Sequence, residues 1–122
     1  MTTTTGIPDR LWAGAAKVDI TNTKADATED PLYAKALILR HQTTTVALIT
    51  VDAVAIAEIG TIRNDYLADV RAQLHEELAI EPAHVLINAS HCHGVVCEDI
   101  AERTIEAVEM ALQNMVPVSV GV

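Results

Sequence analysis

Two histidines one residue apart, His91 and His93, are the residues of this chain best placed to do chemistry. They lie in the stretch INASHCHG, residues 87–94, which ends an apolar run. Side chains at positions i and i+2 of an extended segment leave the same face, so both imidazoles can point at one spot while Cys92 faces away. Two converging neutral imidazoles suit Zn²⁺ and related metals. The alternative is that His91 caps the strand and His93 is solvated, because such short motifs also recur by accident.

Three nearby residues are candidates to complete this site. Gly94 would allow a ligand or an unusual turn to approach the backbone closely. Cys97 could add a sulfur ligand if the loop folds back, or it could be a small apolar residue at the start of the next helix. Asp52 could accept a hydrogen bond from a ligating imidazole, or it could be a loop carboxylate or a helix cap. We assign no catalytic residue from these patterns.

The elements that must position these residues follow from apolar periodicity and from breaker residues such as Pro82 and Pro117. The sequence predicts strands at residues 13–20, 33–40, 45–51, 84–90 and 118–122, and amphipathic helices near residues 60–78 and 100–115. The second and third strands should form a hairpin. The order β-β-β-α-β-α-β predicts an α/β domain with a mixed sheet, one hairpin and two right-handed crossovers. If the third and fourth strands are neighbours, their carboxyl ends bring Asp52 and the histidines to one edge.

Composition narrows the class of protein. The chain of 122 residues has a formal net charge of -9, which argues against nucleic-acid or anionic-membrane partners. The start MTTTTG lacks the features of a secretory signal, and Asp52 interrupts the most apolar run, so we expect a cytoplasmic protein with free thiols. We expect residues 1–12 to be a flexible Thr-rich tail and residues 13–122 to form one domain.

Half of the residues are apolar, although the chain has no Phe, one Trp and two Tyr. This is more apolar side chain than a small solitary domain readily buries. We therefore expect part of the surface to be covered, either by copies of the chain or by polypeptide that this sequence does not contain.

Four blocks, in order, resemble the neutral/alkaline non-lysosomal ceramidase family and its bacterial relatives. They are AGAAKVDI (residues 13–20), DPLYAKALIL (30–39), VALITVDAVAI (46–56) and HVLINASHCHG (84–94). The resemblance runs from about Ala13 to the end of the chain and rests on the order and spacing of these blocks. It implies an amino-terminal part of a ceramidase-like fold in which the His-x-His segment supplies a zinc ligand. It also implies that the metal activates water to cleave the amide of an N-acyl sphingosine.

The sequence departs from the family pattern at several positions. The family segment H-T-H-S-G is H-C-H-G-V here, and a family histidine before the second strand is replaced by the stretch ATED, residues 27–30. Glu29 or Asp30 could replace that histidine as an oxygen ligand, although a plain loop is the simpler interpretation. The other family ligands, a Glu and a Tyr, would come from beyond Val122. We therefore expect the chain to be incomplete as an enzyme by itself.

Three functions fit these observations. The first is the amino-terminal part of a zinc-dependent amide hydrolase acting on an amide or lipid substrate, with His91 and His93 as metal ligands. The second is a non-catalytic, homo-oligomeric binding or scaffolding module. The third, a trimeric mutase-like enzyme, would need cations that converge on an anionic substrate. The arginines show no such convergence in the sequence: Arg40, Arg63, Arg71 and Arg103.

Overall fold

The computed structural model describes residues 9–24 and 30–122. These residues form β1 (Leu11–Asp19), β2 (Tyr33–His41), β3 (Thr44–Val51), α1 (Tyr66–Leu78), β4 (Val85–Ala89), α2 (Ile100–Gln113) and β5 (Val116–Val118), with a short 3-10 helix (Pro82–His84) before β4. The predicted α/β class and the order β-β-β-α-β-α-β are confirmed. Within the described ranges, neither helix has the length and hydropathy that crossing a membrane would require.

The five strands form one mixed sheet in the order β4-β3-β2-β1-β5. The pairs β1–β2 and β2–β3 are antiparallel, and β3 and β4 are parallel neighbours connected through α1. The predicted hairpin closes with a turn of two residues, Gln42 and Thr43, and Gln42 adopts a left-handed φ of 53°. The parallel pairing places the carboxyl ends of β3 and β4 side by side, as the sequence predicts.

The position of β5 corrects the prediction of a second crossover. A second crossover would place β5 parallel to its neighbour, but β5 pairs antiparallel with β1 at the opposite edge of the sheet, with Val116 opposite Ala13. The strand also covers residues 116–118 rather than 118–122. Among the described residues, the connection through α1 is therefore the only one that links two parallel neighbours.

The direction of α2 explains why the last strand cannot follow the prediction. The helix starts beside the end of β1, where Arg103 Nη1 donates to the Asp19 carbonyl at 2.9 Å. It finishes beside the middle of β1, where Asn114 Nδ2 donates to the Ala15 carbonyl at 3.2 Å. Only Asn114 and Met115 separate α2 from β5. Two residues are too few to carry the chain from α2 to the far edge of the sheet, so β5 joins the nearby edge beside β1 and continues in the direction of the helix.

Both helices pack on the same face of the sheet, which we call the covered face. Its buried strand residues alternate along each strand, as a half-covered sheet requires. They are Val18, Ala34, Ala36, Ile38, Ala47, Ile49, Val51, Val85 and Ile87, and Ile20, which directly follows β1, is buried with them. The helices contribute buried apolar residues to the same cluster, including Val70 and Leu74 from α1 and Ile105 and Val108 from α2.

Gly14 lets α2 approach β1 closely. A Cβ atom at this position would collide with the Ala111 carbonyl oxygen and would lie 2.8 Å from Met115 Sδ. The neighbouring strand β2 also presents small buried residues to α2, namely Ala34 and Ala36. The small residues of β1 and β2 therefore set how near the helix can come.

A buried hydrogen bond joins the two helices. Thr104 Oγ1 donates to the Ile100 carbonyl at 2.8 Å and lies 2.7 Å from the Tyr66 hydroxyl, so Tyr66 donates to Thr104. Burial raises the pKa of Tyr66 to about 12. The phenol therefore stays protonated at neutral pH and keeps its role as a donor between the helices.

The first helix begins at Tyr66, six residues later than the predicted start at residue 60. Glu58 and Gly60 have φ values of 70° and 84°, which no right-handed helix contains. The Asn64 side chain accepts a hydrogen bond from the Glu58 backbone N–H at 2.7 Å. Residues between Val51 and Tyr66 therefore form a loop beside the carboxyl ends of β3 and β4.

Candidate functional site

Asp52 links three strands at the edge where β3 and β4 end. Its Oδ1 accepts a hydrogen bond from Ser90 Oγ at 2.9 Å, and its Oδ2 accepts one from the Tyr33 backbone N–H at 3.0 Å. The Ser90 backbone N–H donates to the Val51 carbonyl at 3.0 Å. This carboxylate therefore fixes the residue that immediately precedes His91.

His91 is held by its own backbone conformation and by one hydrogen bond. Its φ is 69°, a left-handed value that is uncommon outside glycine but more frequent in His, Asn and Asp. Its Nδ1 lies 2.8 Å from the Val54 carbonyl oxygen. A carbonyl only accepts, so Nδ1 carries the proton, and in the neutral ring the lone pair lies on Nε2.

His93 lies beside His91. The two ring centroids are 4.8 Å apart and the ring planes meet at 89°, an edge-to-face arrangement. Both histidines are exposed, whereas Cys92 between them is partly buried and packs against the core. The structure thus brings the two predicted imidazoles together at the surface and turns Cys92 away from them.

The two histidine rings do not lie together because of strand alternation, the reason that the sequence suggested. Strand β4 ends at Ala89, before the histidines, and His91 is in a left-handed conformation. The turn that follows Ser90, with its hydrogen bond to Val54, therefore sets the position of the rings. Sequence reasoning missed Ser90 and Val54. Ser90 is part of the INASHCHG motif. The Val54 carbonyl belongs to the backbone of a distant loop, so no residue type in the sequence points to its role.

The other predicted ligands lie elsewhere or are otherwise engaged. Both oxygens of Asp52 accept hydrogen bonds from Tyr33 and Ser90, so this residue acts on His91 through its sequence neighbour. Asp30 is exposed in the segment before β2, and Glu29 lies outside the described residues. Within residues 9–24 and 30–122, no three His, Cys, Asp or Glu side chains gather into a group that could hold a metal ion.

Cys97 belongs to a different cluster, at the start of α2. Its backbone N–H donates to the Ile20 carbonyl at 2.8 Å. Burial, followed by a hydrogen bond to Asp99, raises the pKa of the Cys97 thiol to about 11. The thiol is therefore protonated at neutral pH and is a poor metal ligand in this state.

The same cluster holds two carboxylates in their charged form. Hydrogen bonds from Cys97 and then from Arg103 lower the pKa of Asp99, and a hydrogen bond from Thr21 lowers the pKa of Asp19. Arg103 Nε donates to Asp99 Oδ2 at 3.1 Å. These contacts tie the first turn of α2 to the end of β1.

Comparisons with known proteins agree with this architecture. No protein-family model and no curated protein matches the chain. Among solved structures, neutral ceramidase from Pseudomonas aeruginosa is similar with a TM-score of 0.71 and 14% identity over 90% of this chain. The fold resembles part of a ceramidase. A ceramidase complexed with C2 gives a TM-score of 0.69, again at 14% identity over 90% of this chain. The chain spans 22% of the length of each of these proteins, and at this identity the likeness concerns the fold alone.

Proposed function

We propose that this chain is the part of a ceramidase-like, zinc-dependent amide hydrolase that carries two of its metal ligands, His91 and His93. The observation that carries the proposal is the adjacent, exposed pair of imidazoles at the carboxyl edge of β3 and β4, with ring centroids 4.8 Å apart. Sites in sheets of this kind gather at such edges. The likeness of the fold to ceramidases supports the same assignment.

The hydrogen bond from His91 Nδ1 to the Val54 carbonyl fits the proposed ligand role. Histidines that bind metals commonly donate the second ring N–H to a carbonyl or carboxylate, which fixes the tautomer and the ring orientation. Here that partner is a backbone oxygen at 2.8 Å, and it leaves Nε2 as the ligand atom. Asp52 supports this position of His91 indirectly, because it accepts a hydrogen bond from Ser90, the residue at the start of the turn.

Two histidines do not complete a zinc site, since catalytic zinc usually has three protein ligands. The proposal therefore needs further ligands from residues that the structure does not describe, such as Glu29, from Asp30 after a rearrangement, or from polypeptide outside this sequence. When bound, zinc would lower the pKa of water and polarise the amide carbonyl. The substrate class that we propose is a linear amide such as an N-acyl sphingosine.

Zinc titration of the purified chain tests the metal site directly. We expect one equivalent of Zn²⁺ per chain by calorimetry, bound weakly because water takes the positions of the missing ligands. The affinity should fall by more than about 10-fold in His91→Asn and in His93→Asn. Asparagine tolerates the left-handed conformation of His91, so this substitution keeps the turn.

His75→Asn is the matched control, because His75 is an exposed histidine on α1 away from the proposed site. Its zinc affinity should equal that of the wild type. Absence of zinc binding, or equal loss of affinity in the control and in the two site variants, would remove the proposed chemistry and leave only the likeness of the fold.

A further inference from the structure

The loop between β3 and α1, residues 52–65, reaches His91 through the Val54 carbonyl oxygen, which lies 2.8 Å from His91 Nδ1. The loop is anchored near both of its ends, because Ala53 and Ile62 are buried in the core. Val54 is the first residue beyond the first anchor and is only partly buried. Pairing within the sheet therefore does not place its carbonyl group, and contacts inside the loop must do so.

Positive φ values are concentrated at this loop and at the histidine that it contacts. Five residues in the described ranges have a positive φ. Two of them have an ordinary local reason, since Gln42 lies in the hairpin turn and Ala79 caps the end of α1. The other three are Glu58, Gly60 and His91, with φ values of 70°, 84° and 69°. Strained conformations persist only where the surrounding contacts impose them, and they are common at functional sites.

Two hydrogen bonds fold the loop back on itself. The Ile59 backbone N–H donates to the Ala57 carbonyl at 2.8 Å, which closes a three-residue turn around Glu58. With a positive φ at its central residue, this turn is the rare and strained form of the γ-turn. The Glu58 N–H in turn donates to Asn64 Oδ1 at 2.7 Å. The tip of the loop therefore returns toward the start of the loop.

Gly60 lies against the Val54 side chain at this return. A Cβ atom at position 60 would collide with Val54 Cγ1, whereas Val54 Cβ would be 3.9 Å from it. The valine side chain has little freedom to turn away, because its branched Cβ restricts χ1. A side chain at position 60 would therefore displace Val54, and with it the carbonyl group beside His91.

We propose that this loop positions the His91 ring and that Gly60 is the positioning residue, because it leaves room for Val54 and so keeps the Val54 carbonyl at Nδ1. The carbonyl accepts the Nδ1 proton, and the neutral ring keeps its lone pair on Nε2. A neutral histidine that is exposed to water carries its proton mainly on Nε2 instead. The loop thus holds an exposed histidine in the tautomer whose Nε2 can bind a metal ion.

The effect of Gly60 on the tautomer does not depend on a metal. Its consequence for zinc rests on the function proposed above, in which Nε2 of His91 is a ligand atom. If the Val54 carbonyl moves away, the proton must leave Nε2 before a metal can bind there, so the affinity for zinc falls. Loss of a hydrogen-bond partner of a ligating histidine typically lowers metal affinity by about 10- to 100-fold.

NMR of the imidazole nitrogens in the full chain, at a pH at which the rings are neutral, measures the tautomer of His91. Its signals are assigned by their loss in His91→Asn. We expect the Nδ1–H form to be the major species in the wild type and the minor species in Gly60→Ala, with zinc affinity lower by about 10-fold or more in that variant. Gly121→Ala is the matched control, because nothing lies within 4 Å of a Cβ at that position.

A second substitution tests whether the contact with Val54 is the cause. Val54→Ala removes Cγ1 but keeps the backbone carbonyl, so the double variant Gly60→Ala/Val54→Ala should regain Nδ1–H as the major form. Alanine at position 60 meets the same positive φ in the single and the double variant. Recovery therefore assigns the effect to the contact and not to backbone strain.

Asn64 provides a test of the same loop that decides the matter if circular dichroism shows that Gly60→Ala does not fold. Asn64→Ala removes the acceptor of the Glu58 N–H and should also lower the population of the Nδ1–H form. Asn64→Asp keeps an acceptor oxygen at that position and should preserve the wild-type tautomer.

Three results would overturn the proposal. They are a major Nε2–H form in the wild type, an unchanged tautomer in folded Gly60→Ala or in Asn64→Ala, and a change in Gly60→Ala that the double variant does not reverse. Absence of zinc binding together with the expected tautomers would instead remove the proposed metal site and leave the positioning of His91 by the loop intact.

Discussion

The two faces of this sheet are built from the same strands but have different surroundings: the covered face lies beneath the helices, and the opposite side is the open face. Ile49 and Leu48 are neighbours in β3, yet Ile49 is fully buried beneath the helices and Leu48 lies on the open face. The covered face holds small residues under α2, with Gly14 and Ala36 among them, whereas the open face holds leucines with no helix packed on them in the described part of the chain. Apolar character alone therefore does not show which residues stabilise the monomer, since that depends on what packs against them.

The largest expected effect contrasts these two neighbours directly. Ile49→Ala should lower the free energy of unfolding by about 2–5 kcal/mol, because it leaves a cavity beneath the helices. Leu48→Ala should lower it by about 1 kcal/mol or less, because its side chain is already partly in water. Urea denaturation at low protein concentration measures both values. Similar losses in the two variants would show that Leu48 is packed as tightly as Ile49 and that the open face is not open to solvent.

A smaller effect is expected where the covered face admits α2. Gly14→Ala should destabilise the fold by about 1–3 kcal/mol, since the added methyl group collides with the Ala111 carbonyl and forces the helix to move. Gly121→Ala is the control, because nothing lies within 4 Å of a Cβ at that position. Thermal unfolding of both variants measures the difference. If Gly14→Ala matched the control, α2 would not be in close contact with β1.

The smallest effect concerns the cluster that ties the start of α2 to the covered face. Because the pKa of Asp99 is lowered in the folded state, its contribution to stability is present above the unfolded pKa, near 3.8, and is lost as the pH falls through the folded value. Asp99→Asn should remove at most about 1 kcal/mol at pH 7, since the side chain is 54% exposed and its ion pair is screened by solvent.

The same variant should flatten the dependence of stability on pH below about pH 4, the region in which the wild-type carboxylate takes up its proton. Denaturation measured at a series of pH values from neutral to acidic tests this. A wild-type slope that persists unchanged in Asp99→Asn would assign the acid sensitivity to other carboxylates, with Asp19 the next to examine.

The strands and the second helix were predictable because each depends on a local pattern. Alternation of apolar residues identifies β2 and β3, and the start of α2 at Ile100 follows from its apolar stripe. The start of α1 was not predictable in this way. The apolar stripe continues back to Ile59, but the left-handed residues Glu58 and Gly60 make that segment a loop, and periodicity carries no information on φ.

The edge that β5 joins was not predictable from the order of elements. The rule that successive strands with an intervening helix lie parallel holds for β3 and β4, but it fails for β5 because α2 runs along β1 and ends beside it. This outcome depends on the close contact at Gly14, which involves residues almost one hundred positions apart.

In the candidate site too, some features follow from the sequence and others only from the tertiary structure. The sequence by itself determined the residue types at the carboxyl edge, namely two imidazoles, a carboxylate and a serine, because composition and spacing are covalent properties of the chain. Only the tertiary structure decided that Asp52 binds Ser90, that Val54 fixes the tautomer of His91, and that Cys97 lies with Asp99 instead of with the histidines. Each of these contacts joins a loop to a distant strand end or fixes the direction of a single side chain. Such contacts depend on where the packed core places the backbone, which no local pattern of residues encodes.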